Sequence, residues 1–164
     1  SKPTDKLIVI NSASKSFNMT GWRIGWITHP EELGSHIAKL VQITTTGVPE
    51  FLQNGLISAL QNYKLITKEV RQNLKKSRDI MFQRLVEWKR VECSVPEAAF
   101  YAFFKVKDVK DSLEFAKKLI IDTNVGVAPG IAFGVSGEGH LRICFAAKQS
   151  FIKEIMDRLE PALN

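Results

Sequence analysis

Ile66, Val70, Leu74, Ser77, Met81, Leu85 and Trp88 follow one another at intervals of four, four, three, four, four and three. That spacing predicts one long amphipathic helix with a single, largely apolar stripe. Near the C-terminus the period shortens to two. Leu141, Ile143 and Phe145 alternate with Arg142 and Cys144, which predicts a strand whose apolar side faces a core while Arg142 and Cys144 project from the other side. Between these segments, 99–106 reads as a strand rich in aromatic residues, and 113–123 as a helix capped by Ser112 with Glu114 in its first turn. A short strand follows over 125–129, then a loop marked by Gly130, Gly134, Gly137 and Gly139. Ser150 opens a last helix over 151–163. Residues 91–164 thus read β-α-β-β-α, a compact α/β unit.

The first sixty residues read differently. Leu7-Ile8-Val9-Ile10 has a buried-strand pattern ending in the polar cluster Asn11-Ser12-Ala13-Ser14-Lys15, and 23–28 reads as a second strand stopped by His29-Pro30. Pro30, Glu31 and Glu32 suit a first helical turn, so a helix is expected from Pro30 to about Ile43. The 44–49 stretch breaks it, and 51–62 is another apolar helix. Two strands do not form an independent sheet in water, so these elements call for more sheet than residues 1–62 contain.

The 164 residues are 45% hydrophobic and 24% charged, a globular balance that excludes a disordered chain. No apolar run reaches the roughly 18–20 residues of a membrane span. No apolar stretch follows a basic start at the N-terminus, so no secretory leader is expected. Cys93 and Cys144 make neither a disulfide framework nor a zinc site, which suits a reducing, cytoplasmic setting. The net charge of +6 raises nucleic acid as a partner. Residues 64–90, however, hold nine basic and three acidic residues, which account for the whole excess. That charge covers the polar faces of the long helix, with no aromatic-interleaved basic loop beside it. A solvated helix surface is the reading adopted, without nucleic acid or membrane.

Three places carry chemistry. Lys15, just past a predicted buried strand and among small hydroxyl residues, could be desolvated, which favours its neutral, nucleophilic form; a solvated loop lysine fits the same pattern. Gly21-Trp22-Arg23-Ile24-Gly25 sets Arg23 at the start of the next strand, where a hairpin-like return brings it near Ser12 and Lys15. A hydroxyl and a guanidinium converging there suit a phosphate; a pairing of Arg23 with a nearby carboxylate is the alternative. Arg142, fixed on a rigid strand, offers a planar fork for a carboxylate; the alternative is an edge arginine in solvent.

Together Ser12-Ala13-Ser14-Lys15, Gly21-Trp22-Arg23-Ile24-Gly25, Pro129-Gly130-Ile131-Ala132-Phe133-Gly134 and Arg142-Ile143-Cys144-Phe145-Ala146 resemble, in order, the motifs of the class I/II aminotransferases. These are the pyridoxal-phosphate enzymes of the aspartate aminotransferase fold (fold type I). Met19-Thr20-Gly21-Trp22-Arg23 resembles the aspartate and diaminopimelate branches, and Gln53 also fits. The resemblance implies an α/β fold: residues 1–62 from the end of the large cofactor domain, 63–90 as a long interdomain helix, and 91–164 as the small C-terminal domain. It implies pyridoxal 5'-phosphate as cofactor and no metal. Lys15 becomes the Schiff-base lysine that also moves the substrate α-proton. Ser12 and Arg23 become phosphate ligands, and Arg142 the clamp on the substrate α-carboxylate. Amino-acid and 2-oxo-acid substrates and a homodimeric parent in the cytoplasm follow from the same resemblance.

Family members are more than twice this length, and their ring-nitrogen carboxylate, ring-stacking aromatic and a further phosphate-binding stretch lie upstream of the lysine. The acids nearest Lys15 in sequence, Asp5, Glu31 and Glu32, do not match that carboxylate. The resemblance is therefore to the C-terminal portion of such an enzyme, and the chain alone is expected to be inactive. At Glu97-Ala98-Ala99 the family has glycine in the middle, so Ala98 is expected to be strained if that position needs positive φ. A same-fold lyase of the carbon–sulfur type would share Lys15, Arg23 and Arg142, and a non-enzymatic basic interaction domain would explain the charge alone.

Overall fold

The computed structural model describes residues 6–164. Residues 1–5, on which the readings of the leader and of Asp5 rest, lie outside the described residues. The chain divides into two compact units, Ser1–Arg71 and Gln72–Asn164, which are described separately.

The C-terminal unit is built on a four-stranded antiparallel sheet. Its strands are β3 (Val91–Glu92), β4 (Tyr101–Val106), β5 (Ala128–Pro129) and β6 (His140–Cys144), in the order β3-β4-β6-β5. The central pair runs in register from Tyr101 opposite Cys144 to Lys105 opposite His140. Burial alternates along both strands as a period of two requires: Ala102, Phe104 and Val106 are buried on β4, and Leu141 and Ile143 on β6. Against that face pack Met81, Phe82 and Leu85 of the long helix, Leu119 of α5 (Ser112–Thr123), and Ile152, Met156, Leu159 and Leu163 of α6 (Gln149–Leu163). Ser77, the polar member of the predicted stripe, is buried and donates its hydroxyl to the Ala147 carbonyl at 2.9 Å, so its place on the apolar face costs no unpaired group.

Several boundaries differ from those the sequence suggests. The cap of α5 is Asp111, not Ser112: its extended backbone (φ −130°, ψ 97°) lets its carboxylate accept from the Glu114 N–H at 2.9 Å. Ser112 instead starts the helix and is buried. The last helix begins at Gln149 after Lys148, without a side-chain cap, rather than at Ser150. The 125–129 strand shrinks to Ala128–Pro129, and the two-residue β3 was not foreseen. At the turn before β4, the residue with positive φ is Ala99 (65°), not Ala98.

The N-terminal unit contains a two-stranded antiparallel ladder, β1 (Val9–Ser12) with β2 (Gly25–Thr28), joined through the short helix α1 (Ala13–Ser16) and a 3-10 turn, Thr20–Trp22. β1 sits two residues later than its apolar run predicts, and β2 begins two residues later than expected but ends at Thr28 as expected. α2 (Gly34–Thr44) follows a separate 3-10 turn at Glu31–Leu33 instead of continuing from Pro30. α3 (Glu50–Gln61) comes next, and α4 (Tyr63–Leu85) carries the division between the units within it. The core of this unit is small: Ala13, Met19, Ile24, Leu56 and Ala59. None of α2 is buried. No helix among the described residues is long and apolar enough to cross a membrane.

Candidate functional site

The predicted phosphate-and-amine group lies wholly in the N-terminal unit. Gly25 lets the two strands approach closely, because a Cβ there would lie 2.4 Å from the Asn11 carbonyl oxygen. Ser12 opposes it in the ladder and then caps α1, its Oγ accepting from the Ser14 N–H at 3.2 Å. The Ala13 N–H donates to the Ile24 carbonyl at 3.1 Å, tying α1 to the returning chain. Arg23 does not begin the strand. It precedes β2 in the left-handed region (φ 51°, ψ 45°), at the end of the 3-10 turn. Its Nη1 donates to the Thr20 carbonyl at 2.8 Å and reaches the buried Ser14 hydroxyl at 3.5 Å.

The return of the chain thus brings Arg23 to the serine cluster, as the spacing suggested, and the serine it meets is Ser14. Among the described residues no carboxylate pairs with Arg23. Lys15 stands on the same short helix as Ser14 and is exposed. The premise of a buried strand before it does not hold: β1 alternates between half-buried and exposed positions. A guanidinium, two hydroxyls and a primary amine collected on one turn of helix and the loop facing it form a donor set suited to a phosphate ester beside a reactive carbonyl.

Arg142 belongs to the C-terminal unit and projects from β6 away from the core, as the alternation predicts. It is half-buried, not an arginine loose in solvent. Its Cζ lies 4.3 Å from the ring centre of Tyr101 and 4.3 Å from that of Phe133. Phe133 meets Phe103 edge-on at 6.0 Å, and Phe103 stacks on His140 at 5.0 Å. Phe133 ends the 3-10 turn Gly130–Phe133. The loop is fixed from below: the Ser112 hydroxyl accepts from the Ile131 N–H at 3.2 Å, and the Glu138 carboxylate accepts from the Ser112 and Gly139 N–H groups at 2.6 and 2.9 Å. Those bonds, the Gly139 N–H first and then Ser112, hold the Glu138 carboxyl below its usual range. Elsewhere in this unit burial pushes the Cys93 thiol up.

Ser14, Tyr101, Phe133 and Glu138 were passed over in the sequence. Ser14 and Phe133 stand inside the quoted motifs and could have been found there. Tyr101 shares the outward face of its strand and could have been found from register with β6. Nothing in spacing pointed to Glu138.

The family model for aminotransferase class I and II matches residues 1–159. An LL-diaminopimelate aminotransferase of Natranaerobius thermophilus is 36% identical over 93% of this chain and 39% of its own length. An aspartate aminotransferase of Pyrococcus abyssi is 33% identical over 98% of this chain and 42% of its own. Among solved structures, an aromatic aminotransferase from Pyrococcus horikoshii superposes with a TM-score of 0.86 at 31% identity, covering 94% of this chain and 42% of that one. The chain spans about 40% of the length of the relatives it matches.

Proposed function

Because this chain belongs to the class I and II aminotransferase family, with the α/β fold of its fold type I structures over part of their length, we propose that it contributes to moving an amino group between an amino acid and a 2-oxo acid. The meeting of Arg23 with Ser14, whose N–H is capped by Ser12 and which directly precedes Lys15 in the chain, carries this reading. The donor set fits pyridoxal 5'-phosphate, which when bound supplies an electron sink for bonds at the amino-acid α-carbon. Arg23, with the Ser12 and Ser14 hydroxyls, binds its phosphate. The Lys15 amine holds the cofactor and then moves the proton at the substrate α-carbon. Arg142 receives the substrate α-carboxylate and orients the α-C–H bond.

Residues 1–62 act as part of the cofactor domain, 63–90 as the connecting helix and 91–164 as the small domain. The working enzyme is a cytoplasmic homodimer, and turnover draws on groups that the relatives carry in the rest of their length. The relatives are named for amino transfer, which favours this reading over a lyase or a basic interaction domain. The test is covalent. The chain is incubated with pyridoxal phosphate, reduced with borohydride and mapped by peptide mass. The label is expected on Lys15, and a label distributed over the lysines of α4 would overturn the assignment.

A further inference from the structure

Arg142 combines three features. It is half-buried. Its Cζ lies 4.3 Å from two ring centres, that of Tyr101 on the neighbouring strand and that of Phe133 on the glycine loop. Yet none of its N–H groups donates to a carboxylate or carbonyl of the described residues. A guanidinium has two flat faces and a rim of N–H donors. Rings stacked against both faces would leave only the rim for a ligand, so that an oxyanion would approach in the guanidinium plane. Two aromatic faces also stabilise the cation while its water is stripped away.

The rings are themselves held. Tyr101 stands in the central strand pair, opposite Cys144 and next but one to Arg142. Phe133 sits on a loop in which two of the glycines pack back to back: a Cβ on Gly130 would lie 1.9 Å from the Gly137 carbonyl oxygen, and one on Gly137 would lie 2.2 Å from that of Gly130. The loop cannot take side chains at either position without moving, and Phe103 braces the ring from its edge.

We infer that Tyr101 and Phe133 are positioning residues that clamp Arg142 between two aromatic faces, so that it accepts planar carboxylates edge-on and discriminates against tetrahedral oxyanions. The inference rests on the reading of Arg142 as the carboxylate group. It adds the two residues that set its orientation and the shape selectivity that follows. Arg142 needs no protein carboxylate to hold it in place, and so its charge is not spent before the ligand arrives.

The experiment is NMR on the full 164-residue chain, following the Arg142 Nε–H and Cδ protons. Acetate is the planar probe and methanesulfonate the tetrahedral one. In the native chain these protons are expected upfield through the ring currents of both aromatics, with acetate binding several-fold tighter than methanesulfonate. Phe133→Leu, at a half-exposed position, is expected to remove part of the upfield shift and to weaken acetate binding roughly tenfold, the larger part of what two-sided packing contributes. Phe133→Tyr is expected to restore both, with thermal unfolding unchanged across the three proteins. Tyr101→Leu gives the same readout from the other face. Ordinary shifts for Arg142 in the native chain would overturn the clamp. Lost shifts with unchanged acetate affinity, or equal affinity for the two probes, would overturn its positioning role. Arg142→Lys separates the two layers: acetate binding that survives this change, with the native ring-current shifts intact, would refute the carboxylate reading and the positioning role with it, while leaving the packing as found.

Discussion

In the C-terminal unit, eighteen apolar residues form one buried cluster between the sheet and its helices; in the N-terminal unit the corresponding cluster has five, two of them alanines. Exposed apolar residues occur in both units, Ile121 and Val135 of the C-terminal unit being 82% and 84% exposed. Ile10, Ile43, Phe51 and Leu65 of the N-terminal unit are 76%, 82%, 72% and 69% exposed, and α2 buries no residue at all. Each fully buried Leu, Ile or Phe contributes roughly 1.5–3 kcal/mol. The C-terminal unit therefore carries enough of them to hold its own sheet, while the N-terminal unit relies on a two-stranded ladder and a few small contacts. The proposed chemistry is divided along the same line. Lys15, Ser12 and Arg23 lie in the weakly cored unit, and Arg142 in the strongly cored one. Local hydrogen bonds and a small core around Ala13 and Ile24 arrange Ser12, Ser14 and Arg23, whereas Arg142 is fixed by a strand beside a larger core.

The largest effect should come from attacking that difference in stability. Limited proteolysis is expected to cut within residues 6–71 first and to leave a resistant product over most of 72–164, read by intact mass; hydrogen exchange should be slowest on β4 and β6. Leu159→Ala, at a fully buried position, should cost the C-terminal unit about 2–5 kcal/mol in urea denaturation and erase its resistance. Leu56→Ala, in the smaller core, should leave that resistance intact. Equal cleavage of both units in the native chain would remove the distinction.

A smaller effect, confined to the C-terminal unit, is tied to Glu138. Its carboxyl is held below the ordinary value of 4.5 by the N–H of Gly139 and by Ser112. The folded form thus binds its proton less readily than the unfolded form. The stabilisation is fully present above the ordinary carboxylate range and is lost as pH falls through the lowered folded value. Stability of the C-terminal unit should therefore decline on acidification below about pH 4.5, and Glu138→Gln should flatten part of that decline while lowering stability at neutral pH. Denaturation curves from pH 7 to pH 3 read both. An identical acid slope in the two proteins would show that the Glu138 bonds do not link the loop to α5.

The same contrast explains what was legible from residues alone. Where a complete core exists, periodicity names the buried side: Leu141 and Ile143 face in and Arg142 faces out, and even Ser77 falls on the packed stripe of α4. Where the core is thin, apolar residues lose that meaning, and the run at 7–10 is not buried but borders a ladder that starts at Val9. The motif spacing found the serine–arginine meeting, but not which serine, because a left-handed Arg23 directs the guanidinium at Ser14. The cap of α5 was ambiguous because Asp111 and Ser112 are both good capping residues, and only the backbone angles choose between them. Arg142 meets Tyr101 across 41 residues, and Glu138 meets Ser112 across 26. Contacts of that separation leave no periodic trace.

The smallest expected effect separates two neighbouring alanines. Ala99 has φ 65° where the chain turns into β4, while Ala98 does not have a positive φ. A left-handed conformation costs a residue with a Cβ about 1–2 kcal/mol, and glycine escapes that cost while losing about 0.5–1 kcal/mol more freedom on folding. Ala99→Gly should therefore stabilise the C-terminal unit by about 0.5–1 kcal/mol. Ala98→Gly, with no strain to relieve, should destabilise it by a similar or smaller amount. Neither change should alter cleavage within residues 6–71, because Ala98 and Ala99 lie outside the N-terminal unit. Paired urea midpoints for the C-terminal transition decide the matter. Stabilisation by Ala98→Gly and not by Ala99→Gly would move the strained position one residue earlier, to the place where the family carries its glycine.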